Sequence, residues 1–130
     1  MKLEHIGIAV RSIEAALRTW RDAIGLKVVS VQEVPNQKVR VAMLQFGTSH
    51  IELLEAISED STISKFIEKK GEGLHHICIE VTDIEEKLRQ LKKRGVLLID
   101  EAPRPGVMAS KVAFVHPRDT GGVLIELCEK

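Results

Sequence analysis

Two short runs of this chain carry side chains suited to chemistry: LEHIGIAV at residues 3 to 10 and GLHHICIEV at residues 73 to 81. Each sets a histidine, His5 or His76, ahead of an isoleucine in a stretch that alternates bulky and small or polar positions. A second pair of runs, HIELLE at 50 to 55 and LIELCE at 124 to 129, holds Glu52 and Glu126 within a shared Ile-Glu-Leu. Two imidazoles and two carboxylates suit a divalent ion of the cobalt, zinc, nickel, manganese or iron kind better than calcium, which prefers an all-oxygen shell. The chemistry requires all four side chains to face one way, so the elements that carry them decide the question.

Those elements are written twice. Displacing the sequence by 71 residues lays Leu3 to Arg18 over Leu74 to Arg89 with nine identities in sixteen positions, His5 over His76 among them. Further on, Ile51, Glu52 and Leu53 match Ile125, Glu126 and Leu127 at an offset of 74, so the second copy gains three residues between its landmarks. The repeat divides the chain into a module at 1–58, a connecting helix at 59–71 and a module at 72–130, together one domain.

Within each module the period of the pattern changes. HIGIAV alternates with period two; then Ser12 offers an N-cap, Ile13, Ala16, Leu17, Trp20 and Ala23 keep helical spacing, and Gly25 ends the run. In the second copy Asp83 caps, Glu86 stands three residues on as a capping-box partner, Ile84, Leu88 and Leu91 form the stripe, and Gly95 closes it. Three strand-like runs follow in each: KVVSVQEV, KVRVAMLQF and HIELLEA, then VLLIDEA, KVAFVHP and GVLIELCE. TISKFIEKK at 62 to 70 reads as the connecting helix, stopped by Gly71. The order is β-α-β-β-β, twice, an α+β architecture.

Strand side chains alternate between faces. The helix-covered face takes Ile6, Ile8 and Val10 in one copy and Ile77, Ile79 and Val81 in the other, together with Ile51, Leu53, Val123, Ile125 and Leu127. By the same parity His5, Glu52, His76 and Glu126 all turn to the opposite face, two from each copy, and a pseudo-two-fold pairing of the modules would bring them to one ion. His75 has the opposite parity to His76 and is expected to be structural; His50 is likewise not expected to ligate.

The chain has 130 residues, enough for a core without disulfides or a structural metal. Lysine plus arginine equal aspartate plus glutamate at 19 each, so no global field draws it to nucleic acid or an anionic membrane. Apolar runs such as ICI and VLLI are far shorter than a membrane span or signal core, and a cytoplasmic protein is expected. Cys78 and Cys128 sit in strand-like runs and read as buried, reduced, small hydrophobes.

A duplicated β-α-β-β-β module with paired His and Glu ligands resembles the vicinal oxygen chelate superfamily, whose eight strands form a cup-shaped sheet with helices on its outer face. GLHHICIEV, HPRDTGGVLIEL at 116 to 127, and the stretch from IELLEAISED to GEGLHHI look like the methylmalonyl-CoA epimerases of that superfamily. The resemblance spans nearly the whole chain. It implies metal ligands at His5, His76 and Glu126, with a fourth position, glutamine in some members, at Glu52. The implied cofactor is a divalent metal, cobalt first, and the implied reaction interconverts (2R)- and (2S)-methylmalonyl-CoA.

That hydrogen lies between a thioester carbonyl and a carboxylate, so its removal builds charge on oxygen that a Lewis acid stabilises. Epimerisation then needs a proton acceptor on one face of the carbon and a donor on the other. Glu126 and Glu52 are the candidates. Some members place a non-ligand glutamate on a strand of the first module as second base, and QKVRVAML at 37 to 44 offers Val39, Arg40 and Val41 there instead. Arg104, Lys111 and Arg118 are candidates to meet the phosphates of coenzyme A, and APRPGVMASK at 102 to 111 is either a lid or edge for the acyl group or a plain connection. A glyoxalase I-like lyase shares the two-His, two-Glu set, and the same cup also serves as a metal-independent binding module; both stay open. A homodimer is compatible with the neutral charge.

Overall fold

The computed structural model describes residues 1–107 and 109–130. They form two units, one of His5–His75 and one of Met1–Glu4 with His76–Lys130. The eight strands are β1 (Lys2–Ala9), β2 (Val28–Val34), β3 (Val39–Phe46), β4 (Ser49–Ala56), β5 (Gly73–Glu80), β6 (Arg104–Pro105), β7 (Lys111–Val115) and β8 (Leu124–Glu129). The first copy lays its strands in the order β2-β3-β4-β1 and the second in the equivalent order β6-β7-β8-β5. In each copy the last strand runs parallel to the first and antiparallel to the third, as the two-fold written pattern requires.

The repeat helices are α1 (Ile13–Leu17), continued by a π-helical turn over Arg18–Ala23, and α3 (Ile84–Lys93). Ser12 accepts the amide of Ala15 at 3.1 Å and Asp83 that of Glu86 at 3.1 Å, the expected local caps. A second amide at each start is satisfied from far along the chain. Ile13 donates to Glu55 at 2.7 Å and Ile84 to Glu129 at 3.0 Å, so each closing strand clamps its own helix. The carboxylate of Glu86 meets Arg89 and Gln90 instead of returning to the cap.

The first helix reaches as far as expected, but its second half is wider. Ile24 donates to Thr19 at 2.8 Å and Leu26 to Trp20 at 3.1 Å. The wide turn leaves Ile24 exposed and returns Leu26 and Trp20 to the core. Gly25, Gly71 and Gly95, with φ of 98°, 80° and 80°, supply the left-handed residues that end the three helices.

The strand expected over VLLIDEA at 96 to 102 is not continuous. It is reduced to a single bridge from Leu98 to Val115, and pairing resumes only in the two residues of β6. Asp100 is the cause. Its own amide and that of Ile99 both reach the Phe114 carbonyl, at 3.1 and 3.0 Å, and its carboxylate accepts the Phe114 amide at 2.8 Å. One residue thus takes both ladder groups of Phe114, and Pro103 and Pro105 withhold two donors beyond it.

Parity holds on the helix-covered faces. Val10, Ala42, Leu44, Ile51 and Leu53 pack with Ile13 and Leu17 in one copy, and Val81, Ala113, Val115 and Leu127 with Ile84 and Leu88 in the other. The connecting helix α2 (Thr62–Lys70), capped by Ser61, takes the other side. Its Ile63, Phe66 and Ile67 cover Ala9, Val39, Val41 and Leu54, which share the parity of His5 and Glu52.

Candidate functional site

In the unit of residues 5–75, β1 and β4 run parallel with Gly7 registered against Glu52. Gly7 has no side chain to stand between that carboxylate and His5, two residues back on the same face. His5 Nδ1 and Glu52 Oε2 lie 3.4 Å apart, in residues only 7% and 8% exposed. Met43, registered opposite Glu52 on β3, is buried and apolar.

The other unit repeats the arrangement. Cys78 takes the place of Gly7, registered against Glu126, and His76 Nε2 lies 3.3 Å from Glu126 Oε1. Phe114, opposite Glu126 on β7, sets its ring edge-on to the His76 imidazole, with centroids 6.4 Å apart and planes at 78°. That contact holds the ring's orientation.

Both separations exceed the usual 2.7–3.2 Å of a hydrogen bond. Two donors each about 2.1 Å from a tetrahedrally held ion stand about 3.4 Å apart, and cis donors of an octahedron about 3.0 Å. Each His–Glu pair therefore has the spacing of one edge of a coordination shell, and its chemistry, imidazole with carboxylate, is that of a transition-ion site. The donors of each couple suit such an ion.

Cys78 and Cys128 are free and buried, as expected. The hydrogen bond between them pushes the Cys78 thiol up, burial and the nearby Glu126 carboxylate adding to the effect, so Cys78 stays protonated. His75 packs edge-on against Phe66 at 5.0 Å, a structural role. His50 is registered beside His5 on β4, half-buried.

The three basic candidates do not gather. Lys111 pairs with Glu85 of α3 at 2.6 Å, and Arg118 with Asp119 at 3.0 Å and the Gly95 carbonyl at 3.2 Å. Arg104 lies over the Phe114 ring, 5.4 Å from its centroid. In the loop at 102 to 111, residue 108 lies outside the described residues. Sequence reasoning missed Phe114 and the long-range caps Glu55 and Glu129. The caps had a signal, for both occupy the final Glu of the duplicated HIELLE and LIELCE.

The model of the Glyoxalase/Bleomycin resistance protein/Dioxygenase superfamily matches residues 4–114. The chain belongs to that superfamily. Within the superfamily its relatives include the ethylmalonyl-CoA/methylmalonyl-CoA epimerase of Cereibacter sphaeroides, 38% identical over 97% of this chain and 96% of the relative. The mitochondrial methylmalonyl-CoA epimerase of Mus musculus is 37% identical over 97% of this chain and 71% of its own length. Among solved structures, a Streptomyces coelicolor methylmalonyl-CoA epimerase variant in complex with 2-nitronate-propionyl-CoA superimposes with a TM-score of 0.90 at 35% identity, covering 100% of this chain and 94% of that one. The superfamily member described here is thus kin to enzymes of the isomerase class, and is itself an enzyme.

Proposed function

We propose that the protein is a metal-dependent epimerase that interconverts (2R)- and (2S)-methylmalonyl-CoA. The observation that carries this reading is the pair of His–Glu couples, one per copy of the repeat, at equivalent positions and with nearly equal spacing, 3.4 and 3.3 Å, with His5, Glu52 and His76 buried and Glu126 half-buried. His5, Glu52, His76 and Glu126 would together hold one divalent cation, cobalt being the first to test. When bound, the cation would supply Lewis-acid stabilisation of the negative charge that develops on the substrate's thioester oxygen.

The chain's own residues supply the rest. Glu126 and Glu52 are the two carboxylates at the couples, and one takes the C2 proton as the other returns a proton to the opposite side of the same carbon. The apolar Val41 and Met43 face the Glu52 side of β3, so Glu52 is the acid or base that half offers beside its histidines. Burial of Glu52 strengthens its electrostatic interactions with a charged reacting group. The reading extends to a cytoplasmic enzyme of propionate metabolism that pairs as a homodimer, and a net charge of zero does not oppose that association.

The test is incorporation of solvent deuterium at C2 of methylmalonyl-CoA by metal-loaded protein, followed by loss with a chelator and recovery with cobalt. Glu126→Gln and Glu52→Gln are each expected to lower exchange at least a hundredfold. Undiminished exchange in either variant would remove that residue from the proton path. A glyoxalase I-like lyase is the second reading, kept open by a glutamate rather than glutamine at 52. Turnover of methylglyoxal hemithioacetal without C2 exchange would select it.

A further inference from the structure

Arg104 is held in a way that neither Lys111 nor Arg118 is. Its backbone lies between Pro103 and Pro105, and a residue that precedes proline is kept out of the helical region, so Arg104 is confined to the extended conformation seen in β6. Registered with Val112, it shares a face with Phe114 two residues along β7, and Phe114 is in turn registered with Glu126. Its guanidinium stacks over the Phe114 ring at 5.4 Å, and that ring meets His76 at 6.4 Å. Asp100 engages one edge of the guanidinium at 3.5 Å, longer than a strong charge-assisted bond, and the side chain remains 56% exposed. Counting the described residues alone, a cation with most of its five N–H donors uncommitted therefore stands on the same sheet face as the His76–Glu126 couple.

We propose that Arg104 receives an anionic group of the acyl-CoA substrate. The chemistry recognised is a planar or tetrahedral oxyanion, which a guanidinium fork binds through two parallel hydrogen bonds. Two parts of the substrate carry it, the phosphates of coenzyme A and the free carboxylate of the acyl group. The assignment rests on the acyl-CoA reading above and adds the residue that recognises the anion.

The experiment compares wild type, Arg104→Met and Arg104→Lys by calorimetric titration of the metal-loaded protein with methylmalonyl-CoA and with methylmalonyl-pantetheine, which lacks the phosphates. Methionine keeps an aliphatic stem on Phe114 and removes the charge; lysine keeps a charge without the fork. The dissociation constant for methylmalonyl-CoA is expected to rise about tenfold or more in Arg104→Met, with Arg104→Lys between. The melting temperature should stay in place, and the salt dependence of binding should weaken with the charge gone. A loss confined to methylmalonyl-CoA assigns the phosphates, and an equal loss with both thioesters assigns the carboxylate. Equal affinities in wild type and Arg104→Met for both ligands, or a change in stability alone, would overturn the proposal. Wild-type protein that binds methylmalonyl-CoA yet exchanges no C2 hydrogen would refute the proposed reaction and leave Arg104 to be judged on these affinities.

Discussion

If the two His–Glu couples share one ion, removing either histidine removes most of the ion's stabilising effect, and removes it to the same extent. An ion supplied to chelator-stripped protein at about a hundred times its dissociation constant stabilises the folded chain by about 2.7 kcal/mol. For 130 residues the unfolding entropy is about 0.27 kcal/mol per kelvin, so the melting temperature rises by about 10 °C. Replacing His76 by alanine removes one member of a couple 3.3 Å apart. Loss of even an outer-sphere partner weakens metal sites by about 10- to 100-fold, so losing a direct ligand costs at least the upper figure. At the same ion concentration the site is then about half occupied and the residual shift is about 1.5 °C. His5→Ala is expected to behave alike, though it lies in the other copy of the repeat. The assay is differential scanning fluorimetry across cobalt, zinc, nickel and manganese, with elemental analysis for one ion per chain. Retention of half the shift in each variant, or bound metal at two ions per chain, would refute a shared ion; no shift with any metal would refute the site itself.

Three further outcomes follow from the packing. Glu55→Ala and Glu129→Ala each strip a carboxylate from a helix amide, at 2.7 and 3.0 Å; each is expected to cost about 1 kcal/mol, or about 4 °C, and the double variant should be close to additive in thermal melts because the two share no partner. Leu53→Ala, at a position with no exposed surface in the α1 core, is expected to cost about 3 kcal/mol by urea denaturation without abolishing ion binding. The hydrogen bond from Lys38 holds the Asp60 carboxyl at about 2, below the usual 3.8, with Ser58 adding. Because the folded value is depressed, that contribution is complete above about pH 4 and is lost as pH falls toward about 2, so Asp60→Asn should flatten the acid limb of the stability profile in that window and nowhere else.

Much of the fold was legible because it rests on local, periodic features. The switch from period two to helical spacing, Ser12 and Asp83 as caps, and the glycines after each helix all depend on near neighbours in sequence. The alternation of HIGIAV and HICIEV, with Ile-Glu-Leu repeated, assigned His5, Glu52, His76 and Glu126 to the face away from α1 and α3, and the packing of Ile51, Leu53, Ile125 and Leu127 against those helices agrees. Where the chain departs from the pattern, a contact with a residue distant in sequence intervenes. Asp100 takes both backbone groups of Phe114 and breaks a strand that hydropathy alone would continue. The π-turn in the first helix answers to the core it must reach with Leu26, not to its own composition.

The sequence by itself determined the duplicated module and the sheet face on which the histidines and glutamates lie, because alternation and repetition are properties of order along the chain. Tertiary structure decided which atoms meet: His5 with Glu52, His76 with Glu126 and Phe114, Lys111 with Glu85, Arg104 with Phe114. It also decided that α2 covers the face its neighbours leave bare and that Glu55 and Glu129 clamp helices more than forty residues away in sequence. Such pairings depend on strand register and on the rotamers packing permits, and neither is encoded in the spacing of residues along one strand.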